Sequence, residues 1–307
     1  MEGLDSKQPF YKKTIRIERK VFMIIDIHAH ANYYGLTCEK LIENMDQYGI
    51  DKAWLLTLET PDPEYAYSYH KCTFVTKDGP IPFTSSVDFE DKDKRFILGY
   101  GPDPRKPDSI YRMEAAIDLY NVKVYGEIML RMMYDNLDAI RMFRFCGKRK
   151  IPVVIELKYG IEGESHTPFT DFWYGGGIEV FERALKQCPD TIFFGHGAGF
   201  WAHISGDDRY DKENYPTGPI VPNGKLIELM RKYDNLYLDL SAGSGLNAMK
   251  RDISFTKEFL DEFQDRACYG RDFIDNAHQE FLNTLGLKQE IMDKIYYKNA
   301  VKLVPLD

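Results

Sequence analysis

Eight short apolar runs recur along the chain, most of them followed by a stretch with helical spacing, and this alternation is what most narrows the fold. The runs are Met23–His28, Lys52–Leu58, Phe96–Gly101, Val122–Met129, Pro152–Glu156, Thr191–His196, Asn235–Ser241 and Ala267–Asp272. They are rich in Val, Ile, Leu, Phe and Tyr and apolar almost throughout, as strands buried on both faces of a parallel sheet are. Leu41, Ile42 and Met45 make a helical stripe after Thr37, an expected N-cap, with Gly49 to end it. Leu137, Ile140 and Phe143 follow Asp135 in the same way, and Ile178, Phe181, Leu185 and Leu226, Leu229, Tyr233 repeat the spacing. Eight strands with helices between them predict an α/β fold, a single (β/α)8 TIM barrel over residues 23–307. A dinucleotide-binding sheet is disfavoured, because no Gly-x-Gly-x-x-Gly follows the first strand.

Composition narrows function by exclusion. Forty Lys and Arg against 48 Asp and Glu give 307 residues a net charge of -8, which argues against a general nucleic-acid binder. The longest apolar run, Val21 to Ile25, is too short to span a bilayer, and Met1 to Lys20 holds no signal-like apolar core. Five cysteines, Cys38, Cys72, Cys146, Cys188 and Cys268, are scattered without a paired spacing, so a reducing, cytoplasmic setting is expected. Residues 1–22 form an N-terminal extension in which Thr14–Lys20 alternates around Ile15 and Ile17, as a short added strand would. Three connections are too long for turns: Glu59–Arg95, Leu157–Gly177 and Gly197–Pro222. Each follows a strand end, on the face where barrels carry their sites. The charged run Asp88–Arg95 reads as a solvated loop.

The chemistry concentrates at the strand ends. Asp26-Ile27-His28-Ala29-His30 places two imidazoles at i and i+2, which share a face on a strand. His196 ends the sixth strand within Gly195-His196-Gly197, and Asp272 ends the eighth within Tyr269-Gly270-Arg271-Asp272. In a closed barrel these four meet at one mouth and offer nitrogen and oxygen ligands to Zn²⁺ or a similar ion. Asp272 is also suited to accept a proton from water. Trp201 and His203 lie where a substrate would approach, and Arg271 would favour an anionic one. Tyr33, Tyr34 and Trp173 offer an apolar lining, whereas His70, His166 and His278 read as locally bonded residues. No Gly-x-Ser-x-Gly elbow or phosphate loop competes with the metal reading.

Taken in order, Ile24–His30, Ile151–Glu156, Phe193–Gly199, Asn235–Ser241, Tyr269–Asp272 and Lys298–Leu303 resemble the landmarks of the amidohydrolase superfamily. The likeness is greatest to its amidohydrolase-related branch of metal-dependent hydrolases and non-oxidative decarboxylases, and it spans Met23 to Leu303. The resemblance implies a divalent metal, zinc first and manganese as the alternative, held by His28 and His30. It implies that His196 binds a second metal or polarises the substrate, and that Asp272 is ligand and general base. One position departs: family members carry a His four residues after the fifth-strand proline, and here Pro152 is followed at that distance by Glu156. With His28, His30, Glu156 and Asp272 as ligands, the carboxylates cancel one dication, which weakens the Lewis acid and favours harder ions. Glu156 as a substrate contact is the other reading. Glu127, in Gly126-Glu127-Ile128, resembles a substitute or bridging ligand; the plainer reading pairs it with Lys123 or Lys158.

The expected function is hydrolysis of a small molecule by metal-activated water. Non-oxidative decarboxylation of a small aromatic acid is the alternative, and a non-catalytic binding protein on a decayed barrel is a second. A small molecule is the expected partner, with no nucleic acid or membrane, and homo-oligomer formation is left open.

Overall fold

The apolar runs form eight parallel strands: β1 (Ile25–Ala29), β2 (Lys52–Leu55), β3 (Phe96–Tyr100), β4 (Val124–Ile128), β5 (Val153–Glu156), β6 (Phe193–His196), β7 (Leu236–Asp239) and β8 (Ala267–Cys268). They pair in sequence order from β1 to β8. The last strand returns to the first through Ile27 N–H donating to the Tyr269 carbonyl at 3.1 Å and Asp272 N–H to the His28 carbonyl at 2.9 Å. The predicted (β/α)8 barrel is thus the observed fold. The structure is a computed structural model that describes residues 23–59, 83–161 and 173–306. The strand expected over Thr14–Lys20, His70 and His166 lie outside the described residues, as does the side chain of Tyr34.

Ile25, Ile27, Trp54, Val124, Val154, Phe194, Tyr237 and Cys268 pack together in one cluster with Ala300 and Val304. Side chains from so many strands of one sheet meet only inside a closed barrel, so these fill the lumen, and Asn299–Leu303 plugs its lower end. Helices on the outside bury their apolar stripes against the strands. Cys38–Tyr48 begins with the Thr37 hydroxyl accepting from Lys40 N–H and ends at Gly49, as expected. Leu137–Arg149 is capped by Asn136 rather than by Asp135, its amide oxygen accepting from Asp138 and Ala139 N–H at 2.9 and 3.0 Å.

Three elements differ from expectation. Part of the charged run Asp88–Arg95 is helical, because Phe83–Lys92 buries Ser86 and Phe89 and leaves the charges on its outer side. The eighth strand stops at Cys268 instead of Asp272, since Tyr269 N–H donates to the Ile295 carbonyl at 2.8 Å and leaves the ladder.

The third difference positions the site. Register shifts by one residue between Asp26 and Ala29 in β1 and between Tyr125 and Ile128 in β4. Such bulges re-aim the side chains that follow them. Val124 faces the lumen, so strict alternation would turn Glu127 outward; the extra residue turns it in. Gly126 occupies this bulge at φ 146°, where the Val154 carbonyl would lie 2.9 Å from any Cβ. Among the described residues, no helix is long and apolar enough to cross a membrane.

Candidate metal centre

His28, His30, Glu127, Glu156, His196 and Asp239 come from the ends of β1, β4, β5, β6 and β7, and all are buried. Asp272 joins them from the turn after β8. Its φ of 52° is uncommon for a residue with a side chain, and its N–H is held by the His28 carbonyl.

Each imidazole has one nitrogen committed behind the site. His30 Nδ1 lies 3.0 Å from the Leu56 carbonyl, which only accepts, so the neutral ring keeps its proton on Nδ1 and turns the Nε2 lone pair inward. His28 Nδ1 lies 2.6 Å from Asp239 Oδ2, and His196 Nδ1 lies 3.3 Å from the same oxygen and 3.1 Å from Ser241 Oγ. A carboxylate only accepts, so Asp239 directs the Nε2 lone pairs of both rings inward. Its other oxygen accepts from Ser241 N–H at 3.0 Å.

On the inner side, the Nε2 atoms of His28 and His30 are 3.2 Å apart. Asp272 Oδ1 stands 3.6 and 3.2 Å from them, and Glu127 Oε2 stands 3.4 and 3.5 Å from them. A tetrahedral shell with ligands about 2.0–2.1 Å from a metal has edges of about 3.3–3.4 Å, so both triangles match faces of such a shell. The remaining oxygens turn the other way. Glu127 Oε1 is 3.7 Å, Asp272 Oδ2 3.6 Å and Glu156 Oε2 3.6 Å from His196 Nε2. His28, His30 and Asp272 form one triad whose ligand atoms lie within 4.8 Å of one another, and His28, Glu127 and His196 form another.

The charges are strongly coupled. Burial would lower the His28 imidazole, but the carboxylates of Asp272 and Asp239 outweigh it and push it up to about 10. His30 and His196 are raised against burial by the same ring of carboxylates. Burial likewise raises Glu127, yet the imidazoles hold it at about 2, and they keep Asp239 and Asp272 below the usual carboxylate range. Glu156 goes the other way: burial, with Glu127 and Asp272 nearby, pushes it up to about 8.

Several expectations need correction. Glu156 does not complete either triad; it sits on the His196 side, while Glu127 occupies the place beside His28 and His30. A Cβ on Gly197 would fall on the Glu156 carboxylate, so the glycine after His196 makes room for it. Glu127 faces three imidazoles rather than a lysine. Arg271, expected to meet substrate, is fully buried behind β1. Its Nε donates to Asp26 Oδ2 at 2.7 Å and its Nη1 to Asn44 Oδ1 at 2.6 Å. Trp201 is buried too; its indole N–H donates to the Asp239 carbonyl at 3.2 Å while the ring packs on Phe200 and Phe259. Both build the wall rather than face a ligand. His203 is likewise buried, 2.8 Å from Tyr159 Oη and stacked on Tyr210.

Asp239 is the residue that sequence reasoning passed over. The available signal was a lone carboxylate closing the apolar Leu236-Tyr237-Leu238 strand, which requires a buried partner.

No protein-family model matches the chain, and no curated protein matches it in sequence. Solved structures do. An uncharacterized TIM-barrel protein from Bordetella bronchiseptica superposes with a TM-score of 0.63 at 15% identity, covering 92% of this chain and 98% of that one. The chain shares its fold. A protein described as a "probable 2-pyrone-4,6-dicarboxylic acid hydrolase" from Acinetobacter baumannii, with citric acid bound, gives 0.58 at 12% identity over 92% and 99% of the two chains. A dihydroxybenzoic acid decarboxylase from Polaromonas, with manganese and 2-nitroresorcinol bound, gives 0.51 at 14% identity over 85% and 84%.

Proposed function

We propose that this chain is a metal-dependent hydrolase of small molecules whose centre holds two divalent cations side by side. The observation that carries this reading is the division of two carboxylates. Glu127 and Asp272 each turn one oxygen toward the His28–His30 pair and the other toward His196. His28, His30, Glu127 and Asp272 would hold one cation, and His196 and Glu156 would hold the second with the remaining oxygens. His28 cannot serve both positions, because its Nδ1 is committed to Asp239 and Nε2 has one lone pair.

The donor set fits such a pair. Glu127, Glu156, Asp239 and Asp272 bring four negative charges into a site whose imidazoles are neutral when they act as ligands. Two dications balance them. In their absence protons must take that role, which accounts for the raised imidazoles and the raised Glu156. Two imidazoles with two carboxylates suit zinc, whereas the carboxylate-rich second position favours a harder ion such as manganese. A barrel of this fold from Polaromonas was solved with manganese bound, an ion of the kind this donor set would take.

Bound there, divalent cations supply Lewis acidity toward a carbonyl oxygen and make water more acidic. Asp272, the most open group of the centre, would accept the proton of the attacking water, and His196 would help to hold the cation that polarises the carbonyl.

The test is a panel of esters, lactones, amides and aromatic carboxylic acids given to the metal-loaded protein. Hydrolysis that disappears in the paired variant His28→Ala, His30→Ala, with the circular dichroism unchanged, is the expected outcome. Release of CO₂ from an aromatic acid without hydrolysis would replace the hydrolase by a decarboxylase. Binding without turnover would leave a non-catalytic barrel.

A further inference from the structure

Behind β1 lies a fully buried ion pair, in which Arg271 Nε donates to Asp26 Oδ2 at 2.7 Å. The other oxygen, Asp26 Oδ1, accepts from two backbone groups, His28 N–H at 3.1 Å and Arg271 N–H at 2.9 Å. Both donors stand where the sheet is irregular: His28 falls within the β1 bulge, and Arg271 lies beyond the end of β8. One carboxylate oxygen therefore takes the place of two ladder acceptors. Asp272 N–H donates in turn to the His28 carbonyl at 2.9 Å, which closes a ring of hydrogen bonds through the backbones of His28 and Asp272. The guanidinium also reaches the helix Cys38–Tyr48, where its Nη1 donates to Asn44 Oδ1 at 2.6 Å. With its oxygen facing Arg271, the Asn44 amide turns its NH₂ onto the Ile274 carbonyl, at 2.7 Å. The turn 271–274 is thus held on both sides of Asp272, whose left-handed φ of 52° needs surroundings that impose it.

We propose that Arg271 is a positioning residue of the centre, acting through Asp26 and Asn44 to fix the backbones of His28 and Asp272 against one another. Asp272 divides its two oxygens between the His28–His30 pair and His196, so the placement of its backbone sets both distances at once. Without the guanidinium, Asp26 is a buried carboxylate with no cation to balance it among the described residues. It then takes a proton or turns toward water, and either change weakens its hold on the two N–H groups. The Asn44 amide also loses the donor that orients it, and with it the fixed grip on Ile274.

The inference rests on the two-cation reading, and the experiment keeps the two apart. Arg271→Met alone strands a buried charge, so the main variant is the pair Asp26→Leu, Arg271→Met, which removes both charges together and spares the fold. Cobalt(II) is the probe, because its visible absorption reports the geometry of its ligands. Wild type should take up cobalt. The paired variant, still folded by circular dichroism, should hold it about tenfold or more weakly in competition with a chelator, as for other lost outer partners of a ligand. At saturating cobalt its visible spectrum should differ from that of wild type, a change that lower barrel stability alone does not produce. Arg271→Lys, whose ammonium has donors for both Asp26 and Asn44, should recover the wild-type spectrum and most of the affinity. Wild-type affinity and spectrum in the paired variant would overturn the inference while the cation sites stand. Loss of fold in the paired variant would also overturn it, by assigning the ion pair to the frame of the barrel. If wild type binds no cobalt, the two-cation reading fails and this inference fails with it.

Discussion

Replacing Asp239 with Asn changes the chemistry at the point where two imidazoles are steered. Oδ2 of Asp239 lies 2.6 Å from His28 Nδ1 and 3.3 Å from His196 Nδ1, while Oδ1 accepts from Ser241 N–H at 3.0 Å. An asparagine keeps the shape but has one acceptor oxygen. If that oxygen stays on Ser241 N–H, the amide NH₂ faces both rings. Each ring must then present Nδ1 as an acceptor and carry its proton on Nε2, which removes the lone pair aimed at the centre. If the amide turns over, Ser241 N–H loses its acceptor in a fully buried setting. Loss of one such outer partner costs about 10- to 100-fold in metal affinity. Here one substitution affects two ligands, so a loss of about 100-fold or more, about 3 kcal/mol, is expected. Competition between the metal-free variant and a zinc chelator measures it, with circular dichroism to establish that the barrel is intact. An affinity within about threefold of wild type, well below the cost of even one lost partner, would refute the steering role of Asp239.

Glu156→Gln should weaken the second cation position selectively and leave the first occupied, which equilibrium dialysis at rising metal concentration will read as one tight equivalent in place of two. The buried His203 has its own pH signature. Burial and Lys225 lower it to about 4 from 6.5, so the unfolded chain binds a proton that the native chain refuses between those values. Stability should therefore fall as pH drops from 6.5 toward 4, by up to about 3 kcal/mol from this group. His203→Gln should flatten that part of the denaturation profile measured by urea titration, and an unchanged slope would place the titration elsewhere.

Much of this architecture is legible in the chain because burial leaves a direct trace. Runs such as Val153–Glu156 and Phe193–His196 are apolar on both faces, and their polar residues stand only at the ends that form the mouth. His28, His30, His196 and Asp272 could therefore be placed together by counting strands. What escaped depends on departures from simple alternation. Glu127 faces inward because of a bulge that no periodicity announces, so its rank beside His28 and His30 went to Glu156. Arg271 and Asp272 sit where the chain has already left the ladder after Cys268, so strand parity carried no information about where either side chain points. Trp201 follows a site histidine closely in sequence, yet its helix turns the indole back under β7. Asp239 looked like an ordinary strand residue, because its importance lies in two partners 211 and 43 residues away along the chain.

The number of divalent cations the protein holds tests the paired centre most directly. Elemental analysis of protein reloaded with zinc or manganese and freed of excess ion should give two equivalents per chain, falling toward one in Glu156→Gln and losing the first equivalent in the paired His28→Ala, His30→Ala variant. Diffraction at the metal absorption edge should place the two peaks on either side of Glu127 and Asp272. A single equivalent that survives Glu156→Gln and His196→Ala unchanged would contradict the paired centre. Protein that retains no divalent cation at all would contradict the metal assignment itself.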